Sequence, residues 1–424
     1  MNVLGIIAEY NPFHLGHAYQ IETLKKETHA DYVIIAMSGN FVQRGAPALI
    51  DKYTRAQMAL NNGADLVLEL PVLYATASAE YFAKGGVCLL HSTGVVTHLG
   101  FGTEHNNLPL LQEISNVLVK NPPVFQKQLQ QELKNGLSFP AARAKALETA
   151  FITLGYNDLS QLHEILASPN NILAIEYLKA LSTLNSTIIP SPLLRKGHGY
   201  HDTSLSEAFC SASAIRSYLR ENKNILHHAS FQTPAMPESA LNILMNYPYS
   251  FLFEDDFSQL VHYKLLTESV DTLAAYADSS LELANRIHHA RHSFTSWSQF
   301  CELLKAKNTT YTRISRLLLH LILGIKNTDY DIFHNSNPIS YLRVLGFKKS
   351  AAPLLSNIKD YGSAPLITGI ANVQKDLSPE AFSCLQKDIT ASDIYNLATQ
   401  TTSLNKKGCQ PPLNDYRHPI IILS

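Results

Sequence analysis

Through about the first hundred residues, short apolar runs alternate with longer stretches whose apolar positions recur at helical spacing. Val3 to Ala8 is continuously apolar, as suits a strand buried on both faces of a parallel sheet. The loop Tyr10-Asn11-Pro12-Phe13 then leads to a helix predicted from His17 to Lys26. Asp31 to Met37 repeats the buried-strand pattern and ends in the turn Ser38-Gly39-Asn40. Next come a helix from Asp51 to Asn62, a strand from Leu66 to Leu70, a helix from Ser78 to His91 and a strand from Val95 to Phe101. This alternation predicts an α/β fold with a right-handed, mostly parallel sheet.

Residues 106–160 are rich in Leu, Gln, Lys and Ala and are expected to form a helical insertion. The α/β pattern resumes with a helix from Asn171 to Leu181 and a strand from Ser186 to Ile189. The loop Arg195-Lys196-Gly197-His198-Gly199-Tyr200-His201-Asp202 and a helix from Ala212 to Glu221 follow. Pro234 and Pro237 lie in the stretch His227 to Glu238, which reads as a boundary. Beyond it helical periodicity dominates, as in Phe257 to Leu266 and Arg313 to Ile325. The expected organisation is an α/β domain over 1–225 and a mainly α-helical domain over 235–424. There is no fixed-period repeat and no low-complexity tract.

Composition narrows the setting. With 424 residues, 46% of them hydrophobic, the chain can bury a sizeable core. A net charge of −1 neither signals nor excludes a nucleic-acid partner, so any basic surface must be local. The five cysteines, Cys88, Cys210, Cys301, Cys384 and Cys409, follow no ligand-like spacing and are expected to be reduced thiols. The apolar N-terminus stops at Glu9, too short for a signal sequence, and no run of about 18 apolar residues spans a membrane. A soluble cytoplasmic protein is expected.

The candidate chemistry begins at His14-Leu15-Gly16-His17, which follows a buried strand and opens a helix. Ligands of open α/β sheets bind at the carboxyl ends of strands. Here a helix N-terminus offers free N–H groups to phosphates, and the glycine lets a ligand approach the backbone. His14 and His17 can donate hydrogen bonds to a triphosphate as charge builds on its bridging oxygen, which suits adenylyl transfer. With 18 histidines in the chain the motif alone is weak, and its position supplies most of its weight. A zinc reading lacks a third ligand at a suggestive spacing. A second element, Ser211-Ala212-Ser213-Ala214-Ile215-Arg216, starts another helix. Its serines can cap the helix and Arg216 can pair with the same anion.

Taken together, His14-x-Gly16-His17 and Ser211 to Arg216 resemble the paired signatures of the nucleotidylyltransferase superfamily, whose fold is Rossmann-like. Longer strings narrow the likeness: Ala8 to His17, Met37 to Gly45, Gly63 to Pro71, Phe101 to Glu104, Ser168 to Leu173 and Arg195 to Asp202. These are similar to one bacterial family, the tRNA(Met) cytidine acetate ligases. The similarity continues into the helical region at Tyr311 to Arg316 and Tyr341 to Phe347. The family pattern often has threonine where Ser213 stands, and serine keeps the hydroxyl.

The resemblance implies a two-step ligation. Acetate and ATP give acetyl-adenylate and pyrophosphate, and the acetyl group passes to the wobble cytidine of elongator tRNA(Met) as N4-acetylcytidine. It places ATP along Ile7, Ala8, Glu9, Tyr10, Asn11, Pro12, Phe13, His14, Leu15, Gly16, His17, Ala18, Tyr19 and Gln20. Gly102, Asn170 or its neighbour Asn171, and Arg195 add contacts, and magnesium is expected with the triphosphate. Lys52 and Arg55 are weaker candidates for the triphosphate or the tRNA, with a solvated helix face as the other reading. Between Asn285 and Arg316 the basic residues Arg286, Arg291, Lys305, Lys307, Arg313 and Arg316 interleave with Phe294, Trp297 and Tyr311. That pattern suits phosphate tracking and base stacking on an anticodon loop, or else a solvated helix face. Two other functions share these motifs: a small-molecule adenylyltransferase of cofactor biosynthesis, and a non-catalytic RNA-binding or assembly factor.

Overall fold

The computed structural model describes residues 1–195, 211–222, 235–334, 339–403 and 410–424. Ten strands are present among them: β1 (Val3–Ala8), β2 (Tyr32–Ser38), β3 (Phe41–Val42), β4 (Ala46–Pro47), β5 (Leu66–Leu70), β6 (His98–Thr103), β7 (Ile189–Leu194), β8 (Leu342–Lys348), β9 (Leu366–Ile367) and β10 (Ile421–Leu423). Eight of them form one sheet in the order β10-β8-β5-β2-β1-β6-β7, with β9 beside β8; β3 and β4 make a separate hairpin. All pairs in the large sheet are parallel except β5 with β8.

Period-2 alternation divides the sheet residues between two cores. Val3, Ile34, Ala36, Leu66 and Leu68 face the helices Ala79–Ser92 and Pro169–Thr183. Leu4, Ile6, Val33, Ile35 and Val67 face α1 (Leu15–Glu27), α2 (Lys52–Asn61) and the helix Ala212–Glu221. The central strands are therefore apolar on both faces, which is why they read as unbroken hydrophobic runs.

Two strands lie further along the chain than the pattern suggests. The strand expected from Val95 starts at His98, because Val95 and Val96 are buried in the approach to it. The strand expected at Ser186 to Ile189 is β7, which contains Pro190 and Pro192. Proline cannot donate to a ladder, but β7 sits at the sheet edge and pairs with β6 alone. Between β6 and the helix Pro169–Thr183, four helices (Leu108–Lys120, Pro123–Lys134, Phe139–Thr153 and Ser160–Ala167) occupy the expected insertion.

The chain beyond 235 is mostly helical, but Tyr341 to Phe347 is not: it runs through β8, which pairs with β5. The C-terminal strands thus complete the N-terminal sheet. Cys88 and Cys301 are buried free thiols and Cys384 is a half-buried one, whereas Cys210 and Cys409 lie outside the described residues. Among the described residues, no helix is long and apolar enough to cross a membrane.

Lys52 and Arg55 are neither a solvated face nor ligand contacts; both side chains are fully buried. Lys52 Nζ lies 2.8 Å from Glu69 and 2.9 Å from both Asp415 and Ser392 Oγ. Arg343, opposite Glu69 in the β5–β8 register, bridges Glu69 and Asp415 at 3.0 Å each. Burial and the Arg343 charge oppose the Lys52 ammonium, yet Asp415 and Glu69 together hold its pKa above the usual range. Arg55 instead donates to the carbonyls of Ile50 at 3.1 Å, Glu9 at 2.6 Å and Ser38 at 3.1 Å, and to that of Gly39. It fixes the ends of β1 and β2 from beneath.

Candidate active site

The site starts where β1 ends. Tyr10 takes a left-handed φ of 48°. The Asn11 side chain accepts the Leu49 N–H at 2.8 Å, folding the chain back into α1. His14 is the N-cap of α1: its Nδ1 accepts the Gly16 N–H at 3.0 Å, and its own N–H donates to His17 Nδ1 at 3.3 Å. The two imidazoles stack with centroids 3.7 Å apart. Gly16 has a sharper reason than ligand approach, because a Cβ there would stand 2.8 Å from His14 Cε1. Any side chain would push the capping ring away.

These contacts determine the protonation pattern. With both Nδ1 atoms accepting backbone N–H groups, each neutral ring carries its hydrogen on Nε2. Burial, then the Arg195 and Arg216 charges, lower His14 to about 3. Burial, His14 and Arg195 likewise hold His17 well below its ordinary value. Both rings are therefore neutral donors at physiological pH.

His14 makes folding stability depend on pH. Its unfolded pKa is 6.5 and its folded value about 3, so between these pH values the unfolded chain binds more protons and stability falls as pH drops. His14→Asn keeps a capping side chain and removes the titration. Urea midpoints measured at about pH 7 and pH 5 are expected to show the wild type losing on the order of 2 kcal/mol more than the variant. Equal losses would contradict the neutral assignment.

Arg216, on the helix Ala212–Glu221 capped by Ser211 Oγ, reaches the Asn11 carbonyl at 2.6 Å and Ser213 Oγ at 3.2 Å. It locks the second motif onto the first. Across the cleft, Arg195 donates to Asn170 Oδ1 at 3.3 Å, and Asn170 Nδ2 donates to Glu104. Asn171 is fully buried and accepts the Glu104 N–H at 3.0 Å. Asn170 borders the cleft and Asn171 braces its wall. At Gly102 a Cβ would meet the Arg195 chain at 3.3 Å, so the missing side chain accommodates Arg195.

Together these groups line a cleft of about 440 Å³. Ile7, Ala8, Glu9, Tyr10, Asn11, His14, Gly16, His17, Tyr19, Gln20, Gly102, Asn170, Arg195, Ser211 and Arg216 all border it. Pro12, Phe13, Leu15 and Ala18 do not; Phe13 is a core residue. Gln43, Arg44, Phe82 and Tyr177 also line the wall, although none belongs to the histidine or serine–arginine motif. The signal for Gln43 and Arg44 was their place in the Met37 to Gly45 string. Phe82 and Tyr177 look like ordinary core positions of their helices. Of the loop Arg195 to Asp202, residues 196–202 lie outside the described residues. Among the described residues, no group of three or more His, Cys, Asp or Glu side chains is placed to hold a metal ion.

The expected RNA surface is largely committed elsewhere. Arg316 makes a forked pair with Asp278 at 2.8 and 2.7 Å, and Arg313 donates to the Asp278 carbonyl at 3.0 Å. Arg286 donates to the Leu304 carbonyl and Arg291 to that of His288. Trp297 is no stacking platform: it is fully buried, with Nε1 on Ser315 Oγ at 2.9 Å. Phe294 is buried as well, and Tyr311 half-buried. Lys305 and Lys307 remain exposed. The helix Tyr311–Leu323 also seats against the cleft-lining loop, since Ser315 Oγ donates to the Gly45 carbonyl at 2.8 Å. A Cβ on Gly45, whose φ is 74°, would lie 2.3 Å from the Arg316 nitrogen.

Residues 1–410 match the family described as HIGH Nucleotidyl Transferase. The tRNA(Met) cytidine acetate ligase of Acetivibrio thermocellus is 37% identical over 100% of both chains. The Clostridium perfringens enzyme of the same name is 40% identical over 97% of this chain and 99% of that one. The apo crystal structure of Thermotoga maritima TmcAL superposes with a TM-score of 0.91 at 34% identity over 100% of both chains. The structure of TmcAL bound with alpha-thio ATP gives 0.89 at 33%, again over 100% of both. The chain belongs to the HIGH nucleotidyl transferase family and, within it, to the tRNA(Met) cytidine acetate ligases.

Proposed function

We propose that this protein activates acetate with ATP as acetyl-adenylate and transfers the acetyl group to the wobble cytidine of elongator tRNA(Met), forming N4-acetylcytidine. The observation that carries this reading is the pair of neutral Nε2–H donors, His14 and His17, at the N-terminus of α1, facing a cleft that Arg195 and Arg216 also border. Fixed donors of this kind stabilise charge that develops on the triphosphate as pyrophosphate leaves, with little reorganisation. Gly102 and Arg195, at the ends of β6 and β7, and Asn170, at the start of the helix Pro169–Thr183, suit the adenosine; Ser211 and Arg216 suit the phosphates. Magnesium would enter with the triphosphate.

A small-molecule adenylyltransferase is not favoured, because relatives that match this chain over its whole length carry the ligase name. The likeness to an ATP-analogue complex supports the nucleotide assignment. The direct test of the first step is ATP–pyrophosphate exchange. Exchange that depends on acetate and proceeds without RNA is expected, and exchange indifferent to acetate would reject the reading.

The tRNA is assigned to the mainly helical region, with Lys305 and Lys307 the exposed cations of the Asn285 to Arg316 segment. Replacing both with alanine is expected to weaken tRNA binding and reduce the slope of log affinity against log salt by roughly 1–2. An unchanged slope would remove them from the interface. Arg316→Ala is the structural control, since it strands Asp278.

A further inference from the structure

We propose that Glu9 is the general base of the second half-reaction, taking the proton from the cytidine amine as the acetyl group leaves the adenylate. This rests on the acyl-adenylate reading above. Attack by the N4 lone pair forms the N–C bond to the acetyl carbon. The C–O bond to the adenylate phosphate breaks, and AMP departs with that electron pair. One N4 proton must then be accepted nearby.

The histidines cannot accept it. Each Nδ1 lone pair already receives a backbone N–H, and each Nε2 carries a hydrogen. Arg44, Arg195 and Arg216 border the cleft as cations with no basic lone pair. Burial raises Tyr10 and Tyr177 above the ordinary phenol range, so neither is available as a phenolate. Among the described residues that line the cleft, Glu9 is the one carboxylate.

Its position suits the task. The Gln43 N–H donates to Glu9 Oε1 at 2.9 Å, and the Glu9 carbonyl accepts from buried Arg55 at 2.6 Å, so backbone and side chain are both anchored. Oε2 takes no hydrogen bond from the described residues. Oε2 is therefore left to meet an acceptor amine entering the cleft that Glu9 borders.

The test separates the two steps. Glu9→Gln keeps the shape and removes the basic oxygen. Single-turnover acetyl transfer from preformed acetyl-adenylate is expected to fall about 10²–10³-fold, far more than acetate-dependent exchange, with the KM for tRNA little changed. Glu9→Asp should recover part of the transfer rate. Parallel loss of exchange and transfer would overturn the proposal and make Glu9 a holder of the nucleotide or its metal ion. Undiminished transfer in Glu9→Gln would overturn it equally. Absence of acetate-dependent exchange in the wild type would instead reject the acyl-adenylate reading before any variant is compared.

Discussion

Replacing His17 with alanine is expected to lower acetate-dependent pyrophosphate exchange about 10²–10³-fold, corresponding to roughly 3–4 kcal/mol of lost transition-state stabilisation. The expectation rests on geometry. His17 Nδ1 is occupied by the His14 N–H, so Nε2–H is the group left to meet the triphosphate. Its ring is held at one angle by Tyr10, Phe13 and His14, with centroids 4.7, 5.5 and 3.7 Å away. A donor so placed is preorganised, and alanine removes it outright. The same packing means that His17 also supports the loop. The urea midpoint and tRNA affinity must therefore be measured beside the exchange rate. Exchange lost while both are retained supports a catalytic histidine; loss of all three would make the residue structural.

The second large effect is on stability. Lys52→Met is expected to destabilise the fold by about 3–5 kcal/mol, because it leaves two buried carboxylates, Glu69 and Asp415, facing Arg343 alone. A denaturant titration reads this directly. Removing Asp415 as well restores charge balance in the cluster, so Lys52→Met with Asp415→Leu should cost less than the sum of the single changes. Additive effects, or a loss below about 1 kcal/mol from Lys52→Met, would mean that water screens the cluster. The cluster ties α2 and β5 to β8, to Ser392 and to the Asp415 segment, so its failure should release the C-terminal part of the sheet.

These two residues show what a linear sequence can and cannot reveal. His14, Gly16 and His17 were legible because their chemistry is local: a buried strand, a turn and a helix start lie within a few residues of one another. Even so, the demand on Gly16 comes from the folded-back His14 ring, which spacing alone does not show. The role of Lys52 is not legible in the sequence because its partner Asp415 lies 363 residues along the chain. A helix face says nothing of a carboxylate that distant. Arg55 misled for a related reason, since backbone carbonyls of Glu9, Ser38 and Gly39 have no sequence signature at all.

Strands β7 and β8 are the least legible, because local signals there compete with tertiary context. Pro190 and Pro192 argue against a strand until β7 is seen at the sheet edge. Arg343 interrupts the apolar run of β8 because it is paired across the strands to Glu69. The basic segment from Asn285 to Arg316 looked like one surface. Its arginines instead serve Asp278, Leu304 and His288, because a guanidinium fork satisfies buried acceptors as readily as phosphate. By contrast, Asn170 and Asn171 are equivalent in sequence and separable in the structure, one bordering the cleft and the other bracing its wall.

The most direct test is incorporation of labelled acetate into RNA by the purified protein, with a tRNA(Met) transcript and ATP. Label at the wobble cytidine, appearing when ATP is present and absent without it, is the predicted result. No label in RNA, together with pyrophosphate release stimulated by a phosphorylated metabolite in place of acetate, would contradict it.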